Sequence, residues 1–301
     1  MHAGTFTGSN AMTVSFVIES LLNGLLIGGV YSLMAIGLTL IFGVMRVVNF
    51  AHGSLIMLGM YASYWTVTLF KIDPYLSILV SLGALFLIGA SIQKFLINPI
   101  LNAPEHNQLL LTLGVSLFME NFAVFVWSPD YRMMKTFYGE INFHIGDVSI
   151  SLVRLLAFVF AMVLAGILYL ILTRTDLGRA IRAASEEPIG AVLMGVNIRR
   201  IYIVTFGIGA ACAGVSGAAI TPFIPVYPYV GWLFVITAFV VVVLGGMGNM
   251  LGAFIGGLII GLADSVGAMF LPGAMKSIIS FSIFIIILLF KPTGLFGRGN
   301  G

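Results

Sequence analysis

Residues 152–221 read LVRLLAFVFAMVLAGILYLIL, then TRTDLGRAIRAASEEPIGAVLMGVNIRR, then IYIVTFGIGAACAGVSGAAIT. The first and last of these runs, Leu152 to Leu172 and Ile201 to Thr221, each suit a helix crossing about 30 Å of hydrocarbon, which takes about 20 apolar residues. The middle run, Thr173 to Arg200, carries five of the 14 Lys and Arg residues of the chain. Two membrane spans therefore flank a segment that must lie in water on one side, within reach of a soluble partner.

Composition extends this reading to the whole chain. The 301 residues are 60% hydrophobic and 8% charged, with a mean hydropathy of +1.11, against about 25% charged for a soluble domain. The expected class is an all-α polytopic membrane protein, a single transmembrane domain over residues 1–301. Apolar runs place spans near Val14 to Phe42, Phe50 to Phe70, Tyr75 to Ile97, Leu109 to Val126, Leu152 to Leu172, Ile201 to Thr221, Trp232 to Leu244, Leu251 to Phe270 and Ser277 to Phe290. The first is long for one crossing, and Gly28-Gly29 could divide it, so eight to ten helices fit, with nine or ten crossings favoured. The single cysteine, Cys212, lies in an apolar run and reads as a buried thiol, and it leaves no disulfide within the chain. Residues 1–13 carry no Lys or Arg and no cleavage pattern, so a removable signal peptide is not expected, and Met12 competes with Met1 as the start.

Lys and Arg bias orients the spans. With the basic 173–200 loop in the cytoplasm, the 98–108 loop and the C-terminus with Lys291 and Arg298 fall on the same side. The 127–151 loop, where Arg132 and Lys135 are offset by Asp130, Glu140 and Asp147, falls outside. The side of the N-terminus depends on whether the first run crosses once or twice.

Inside the central loop, Asp176 is an N-cap candidate, and Leu177, Ala180, Ile181 and Ala184 recur on one helical stripe. Arg179, Arg182 and Glu186 fall away from it, with Arg182 and Glu186 spaced for an i,i+4 pair. Pro188 blocks that helix and opens a second, with Ile189, Val192 and Leu193 on one face; Gly195 ends it, and Asn197 caps the next span. By itself this pattern fits a helix lying on anionic lipid as well as a docking knob.

Elsewhere the chain offers no chemistry of its own. No Lys is preceded by Gly, so there is no GxxxxGK phosphate loop, and ATP hydrolysis would need a partner. His2, His52, His106 and His144 show no HExxH or paired metal-ligand spacing. No catalytic residue, metal or cofactor is assigned, and no nucleic acid partner is expected. Glu120 and Asp264 are lone acids in apolar runs, for which partners, cavities or span-end positions all remain open. In Thr221 to Trp232, TPFIPVYPYVGW, three prolines interrupt helical geometry; an aromatic interface belt and a contact for an external protein are both open readings.

Over about Leu21 to Gly297 the chain resembles the membrane permease subunits of bacterial ABC importers for branched-chain and other hydrophobic amino acids and amides. The segments that carry the resemblance are NGLLIGGVYSLMAIGLTLIFGVMRVVNFAHGSLIMLGMY, LLLTLGVSLFMEN, DLGRAIRAASEEPIGAVLMGVN, VVLGGMGNMLGAFIGGLIIGLADS and KPTGLFGR. The resemblance implies a type II importer-like permease in the bacterial inner membrane, working with a homologous permease subunit, two ABC ATPases that bind ATP and magnesium, and an external solute-binding protein. It implies that the loop from Asp176 to Asn197 is a coupling segment, with Asp176, Leu177, Arg179, Ile181, Arg182, Glu186, Glu187, Ile189, Leu193 and Gly195 facing the ATPase. Branched-chain amino acids are the first expected cargo, and urea or short amides the second. A secondary transporter or channel without ATPase is the competing class.

Two further segments are pathway and gate candidates. In NFAHG, Asn49 and His52 are three apart and share a helix face with Phe50 between them; they could fix helix packing or form part of a gate. Gly245, Gly246 and Gly248 would bend the chain between two spans, either lining a cavity or making a tight connection. The pairs Gly252 with Gly256 and Gly257 with Gly261 read as close helix packing. Two departures from the family pattern stand out: INPIL at 97–101 replaces a YRPLR-like basic stretch, and Thr237 occupies a position where many relatives have Lys.

Overall fold

Apolar runs of this length favour helices, which satisfy their backbone groups within the segment. A computed structural model describes residues 6–101, 103–271, 275 and 277–297; Met1, Arg298 and Gly301 lie outside the described residues. Among the described residues nine apolar helices form the bundle: α1 (Phe6–Met45), α2 (His52–Phe70), α3 (Ser77–Ile92), α4 (Glu105–Trp127), α5 (Leu152–Arg174), then, after two short helices of the central loop, α6 (Asp176–Glu186) and α7 (Pro188–Leu193), α8 (Ile198–Ile220), α9 (Gly231–Gly245), α10 (Met250–Phe270) and α11 (Ser277–Phe290). Six stretches, covering α1, α3 with its extension, α4, α5, α8 and α10, are long and apolar enough to cross a membrane by themselves, while α9 and α11 are shorter.

The first apolar run is one unbroken helix, so Gly28-Gly29 does not divide it. These glycines serve contact instead. A Cβ on Gly28 would lie 3.0 Å from Gly257 O, and one on Gly261 would lie 2.3 Å from Gly28 Cα. The α1–α10 crossing is thus backbone on backbone, closed by Ser32 Oγ donating to Phe254 O at 2.7 Å. Gly252 and Gly256 face α9 in the same manner, against Gly245 and Val241.

α1 and α8 form the buried centre. The run GIGAACAGVSGAA in α8 leaves its sides almost bare of side-chain bulk, so that α1, α2 and α3 all approach it. Gly209 packs on Gly37 and Ile41, Gly214 on Leu85 and Ser81, and Gly217 on Ile56 and Met60. α3 loosens at its end into a π-helical turn, Gln93–Ile97, and a 3-10 turn, Asn98–Ile100.

The 127–151 loop holds a feature that the all-α expectation omits, an antiparallel hairpin of β1 (Asn142–Ile145) and β2 (Val148–Ser151), with Gly146 at φ +63 in its turn. The same loop pairs with the proline-rich 221–230 segment, Arg132 N and O bonding Val226 O and N at 2.9 and 2.8 Å. Within that segment Thr221, Val226 and Val230 are fully buried, whereas Tyr229 is half exposed.

Candidate functional site

The central loop folds as two helices around Pro188, and its caps follow from its side chains. Thr175, in extended conformation, is the N-cap: its Oγ1 accepts from Gly178 N at 3.2 Å. Asp176, the expected cap, is the first helical residue, where its carboxylate pairs with the Arg179 guanidinium. Pro188 occupies the first turn of α7, and Gly195 leaves it at φ +85. Asn197 Oδ1 caps α8 by accepting from Arg200 N at 3.1 Å.

Burial divides the expected coupling residues in two. Ile181 and Ala184 are buried and Leu177 half-buried, so the stripe of α6 faces the bundle. Arg182 does not pair with Glu186; its guanidinium donates to Leu172 O at the end of α5, because a carbonyl that has lost its helical donor lies within its reach. Ser185 Oγ donates to Gly43 O, 2.6 Å away, tying α6 to the end of α1. Asp176, Arg179, Glu186, Glu187 and Gly195 are exposed. So is an apolar tip on α7: Ile189 is 73% exposed, Leu193 82% and Met194 85%, with Val192 beside them. The sequence pattern missed Met194, which lies past the helix end.

Beside this tip runs a groove of about 580 Å³, lined by Met45, Asn98, Leu101, Pro188, Ile189, Val192 and Tyr202, among others. Asn98 and Leu101 belong to the INPIL stretch, so the place of the expected basic pair is taken by a short polar and an apolar side chain on the groove wall.

A second cluster joins the GGMGN turn to the chain end. Gly245 closes α9 and Gly246 follows at φ +100, Gly248 at φ +83. The 291–297 segment lies across this turn: Leu295 N donates to Leu244 O at 2.8 Å, Phe296 N to Gly245 O at 3.1 Å, and Asn249 Nδ2 to Phe296 O at 2.9 Å. Gly43 at the end of α1 lies against Gly248, where a Cβ would meet Gly248 Cα at 3.1 Å. The glycines make a tight connection that receives two other chain segments, and a cavity of about 460 Å³ separates this hub from Arg182, Ser185 and Glu186 of α6. Gly246→Ala is expected to cost about 1–3 kcal/mol from the disallowed φ alone. Its methyl would also stand 2.5 Å from Gly297 N. Limited carboxypeptidase digestion should release the chain end from this variant faster than from the native protein.

NFAHG sits where α1 hands over to α2. Asn49 and His52 are fully buried. Asn49 Oδ1 accepts from Ala51 N at 3.1 Å, and His52 Nε2 lies 3.0 Å from Met34 O on α1. Among the described residues Asn49 Nδ2 and His52 Nδ1 have no hydrogen-bond partner. Phe50 stacks at a tilt on Phe239 of α9, centroids 5.2 Å apart, and its N–H donates to Thr112 Oγ1 of α4. The motif therefore knots α1, α2, α4 and α9 together. The lone acids also have partners: Ser54, Ser116 and Trp232 at Glu120, and Ser280 at Asp264.

Residues 20–288 match the family of branched-chain amino acid transport system permease components. The chain belongs to this family. It is 32% identical, over 94% of its length and 96% of the relative's, to the high-affinity branched-chain amino acid transport system permease protein LivH of Escherichia coli (strain K12). It is 33% identical to permease protein BraD of Pseudomonas aeruginosa over 93% and 96%. A probable branched-chain amino acid transport permease of Methanocaldococcus jannaschii is 32% identical over 88% of each chain. No solved structure matches. The permease is thus a multi-pass membrane protein with a type II importer-like, predominantly helical body, and it resembles transport subunits rather than enzymes.

Proposed function

We propose that this permease forms the translocation pathway for branched-chain and other hydrophobic amino acids in an ATP-driven importer, and that α6 and α7 dock on an ATPase partner. The observation that carries the reading is the α7 tip. Ile189, Val192, Leu193 and Met194 stand exposed in the basic loop, while the opposite side of α6 is anchored to α1 and α5. A large apolar tip rimmed by charge is what a protein groove accepts. Force on it would pass through Ser185 to Gly43, and so to the hub of α1, α9, α10 and the chain end.

In this reading the α6–α7 end is cytoplasmic, together with the 98–108 loop and the chain end, and the membrane is the bacterial inner membrane. α1 crosses once, so its start lies outside with the hairpin. Leu177 and Ile181 hold the lever to the bundle, while Asp176, Arg179, Arg182, Glu186, Glu187, Ile189, Leu193 and Gly195 form or border the docking face. Asn49, Phe50 and His52, with Gly245, Gly246 and Gly248, are the joints whose shift opens the cytoplasmic side. The partners are a homologous permease, two ATPases carrying ATP and magnesium, and an external binding protein. Reconstitution of that complex in vesicles should give leucine, isoleucine and valine uptake only with ATP inside. Uptake without ATP would identify a secondary transporter or channel, and uptake of urea alone would reassign the cargo.

A further inference from the structure

Two of the apolar helices begin inside the hydrophobic span instead of at its edge. α2 starts at His52, beside the carbonyl of Met34, eleven residues before α1 ends. That is roughly 16 Å along the α1 axis from its α6-anchored end. α9 starts at Gly231, backbone to backbone with the start of α2: a Cβ on Gly53 would lie 2.3 Å from Gly231 O. Part of the first turn of each helix is bonded to carbonyls just upstream, His52 N to Asn49 O, Leu55 N to Ala51 O, Trp232 N to Tyr229 O and Leu233 N to Val230 O, and the dipole of each helix still leaves a partial positive charge, up to about half an elementary charge, at its start.

α4 delivers a carboxylate to the same junction. Glu120 is 2% exposed. Its Oε1 lies 3.3 Å from both the Ser54 and the Ser116 hydroxyls, which also bond each other at 2.7 Å so that one of them donates to it, and its Oε2 accepts from Trp232 Nε1 at 3.0 Å. Ser54 lies in the first turn of α2 and Trp232 in the first turn of α9. Among the described residues the one ion pair is Arg179 with Asp176, so no side-chain cation answers Glu120.

We propose that Glu120 is the fixed counter-charge of these two helix N-termini, a positioning residue that holds α2 and α9 in register on α4 during transport. The proposal rests on the uptake function given above. It makes charge, beyond hydrogen bonding, the property that matters. Glutamine can keep all three contacts, since its carbonyl accepts from Trp232 while the serine hydroxyls accept from its amide. Aspartate keeps the charge on a shorter arm.

The test is leucine uptake by the reconstituted complex, expressed per assembled complex so that a loss of assembly alone does not register. Glu120→Gln is expected to assemble normally and to lower that rate at least tenfold, and Trp232→Phe, which keeps the charge, to lower it less. A Glu120→Gln rate above a tenth of the wild-type rate, or a larger loss in Trp232→Phe than in Glu120→Gln, overturns the proposal. If Glu120→Gln does not assemble, Glu120→Asp decides: recovered assembly supports the counter-charge, and equal failure overturns it. Absence of wild-type uptake overturns the uptake reading and this one with it, whereas wild-type uptake with an unimpaired Glu120→Gln overturns this one alone.

Discussion

Gly217→Leu is expected to yield almost no folded permease, and Gly166→Leu to yield wild-type amounts. Both glycines lie within apolar helices, in α8 and α5, so helix propensity favours leucine equally at each, although Gly217 is buried and Gly166 exposed. Contact separates them. A Cβ at Gly217 would sit 2.2 Å from Ile56 O and 3.0 Å from Met60 N, while one at Gly166 meets nothing within 4 Å. The obstacles at Gly217 are backbone atoms of α2, which cannot rotate away as a side chain could. Neighbouring turns leave no room to slide, because Gly214 presses on Leu85 and Gly59 presses on Gly214. Overpacking of a yielding core costs about 1–3 kcal/mol, and this site, unable to yield, should reach the upper end of that range or exceed it. Thermal unfolding in detergent, with the monodisperse fraction on size-exclusion chromatography, measures both variants, and a Gly217→Leu protein as stable as Gly166→Leu would refute the packing account.

The contrast between these glycines marks how far the sequence is legible. Small-residue spacing identifies α10 as a close-packing helix, and Gly257 and Gly261 do face α1. Membrane spans are legible because burial in lipid demands a continuous apolar run, and the α6–α7 break is legible because Pro188 and Gly195 each act through their own backbone. The Arg182–Glu186 pair does not form, since helical spacing shows which side chains are neighbours but not that a carbonyl at the end of α5 competes for the guanidinium. Depth is also hidden. The starts of α2 and α9 lie in apolar sequence like that at a span edge, and only their contacts with Met34 and with each other place them inside. Glu120 looks isolated for the same reason: its partners Ser54 and Trp232 are 66 and 112 residues away in the chain.

Leu193→Asp and Ile189→Asp are each expected to weaken ATPase binding at least roughly thirtyfold, and together to abolish co-purification. Both side chains are exposed by more than two thirds, on a helix of six residues that buries only Ala191. Neither substitution therefore removes support from the permease itself, and the cost falls on the complex. A carboxylate pushed into an apolar groove loses its water without gaining a partner, and truncating an anchor of this kind already costs about 2 kcal/mol or more, which is the thirtyfold change. Arg179→Glu should weaken binding less, and by an amount that shrinks with added salt, because Arg179 is exposed and already paired with Asp176. Arg182→Glu should act differently again: it removes the donor to Leu172 O and puts a negative charge beside the carbonyl end of α5, loosening the lever from the bundle. Titration of the purified ATPase against permease in nanodiscs separates the three cases, with Leu193→Asp lowering affinity and Arg182→Glu lowering ATP-driven uptake more than affinity. Equal, salt-sensitive losses for all of them would mean that charge, and not the apolar tip, makes the contact.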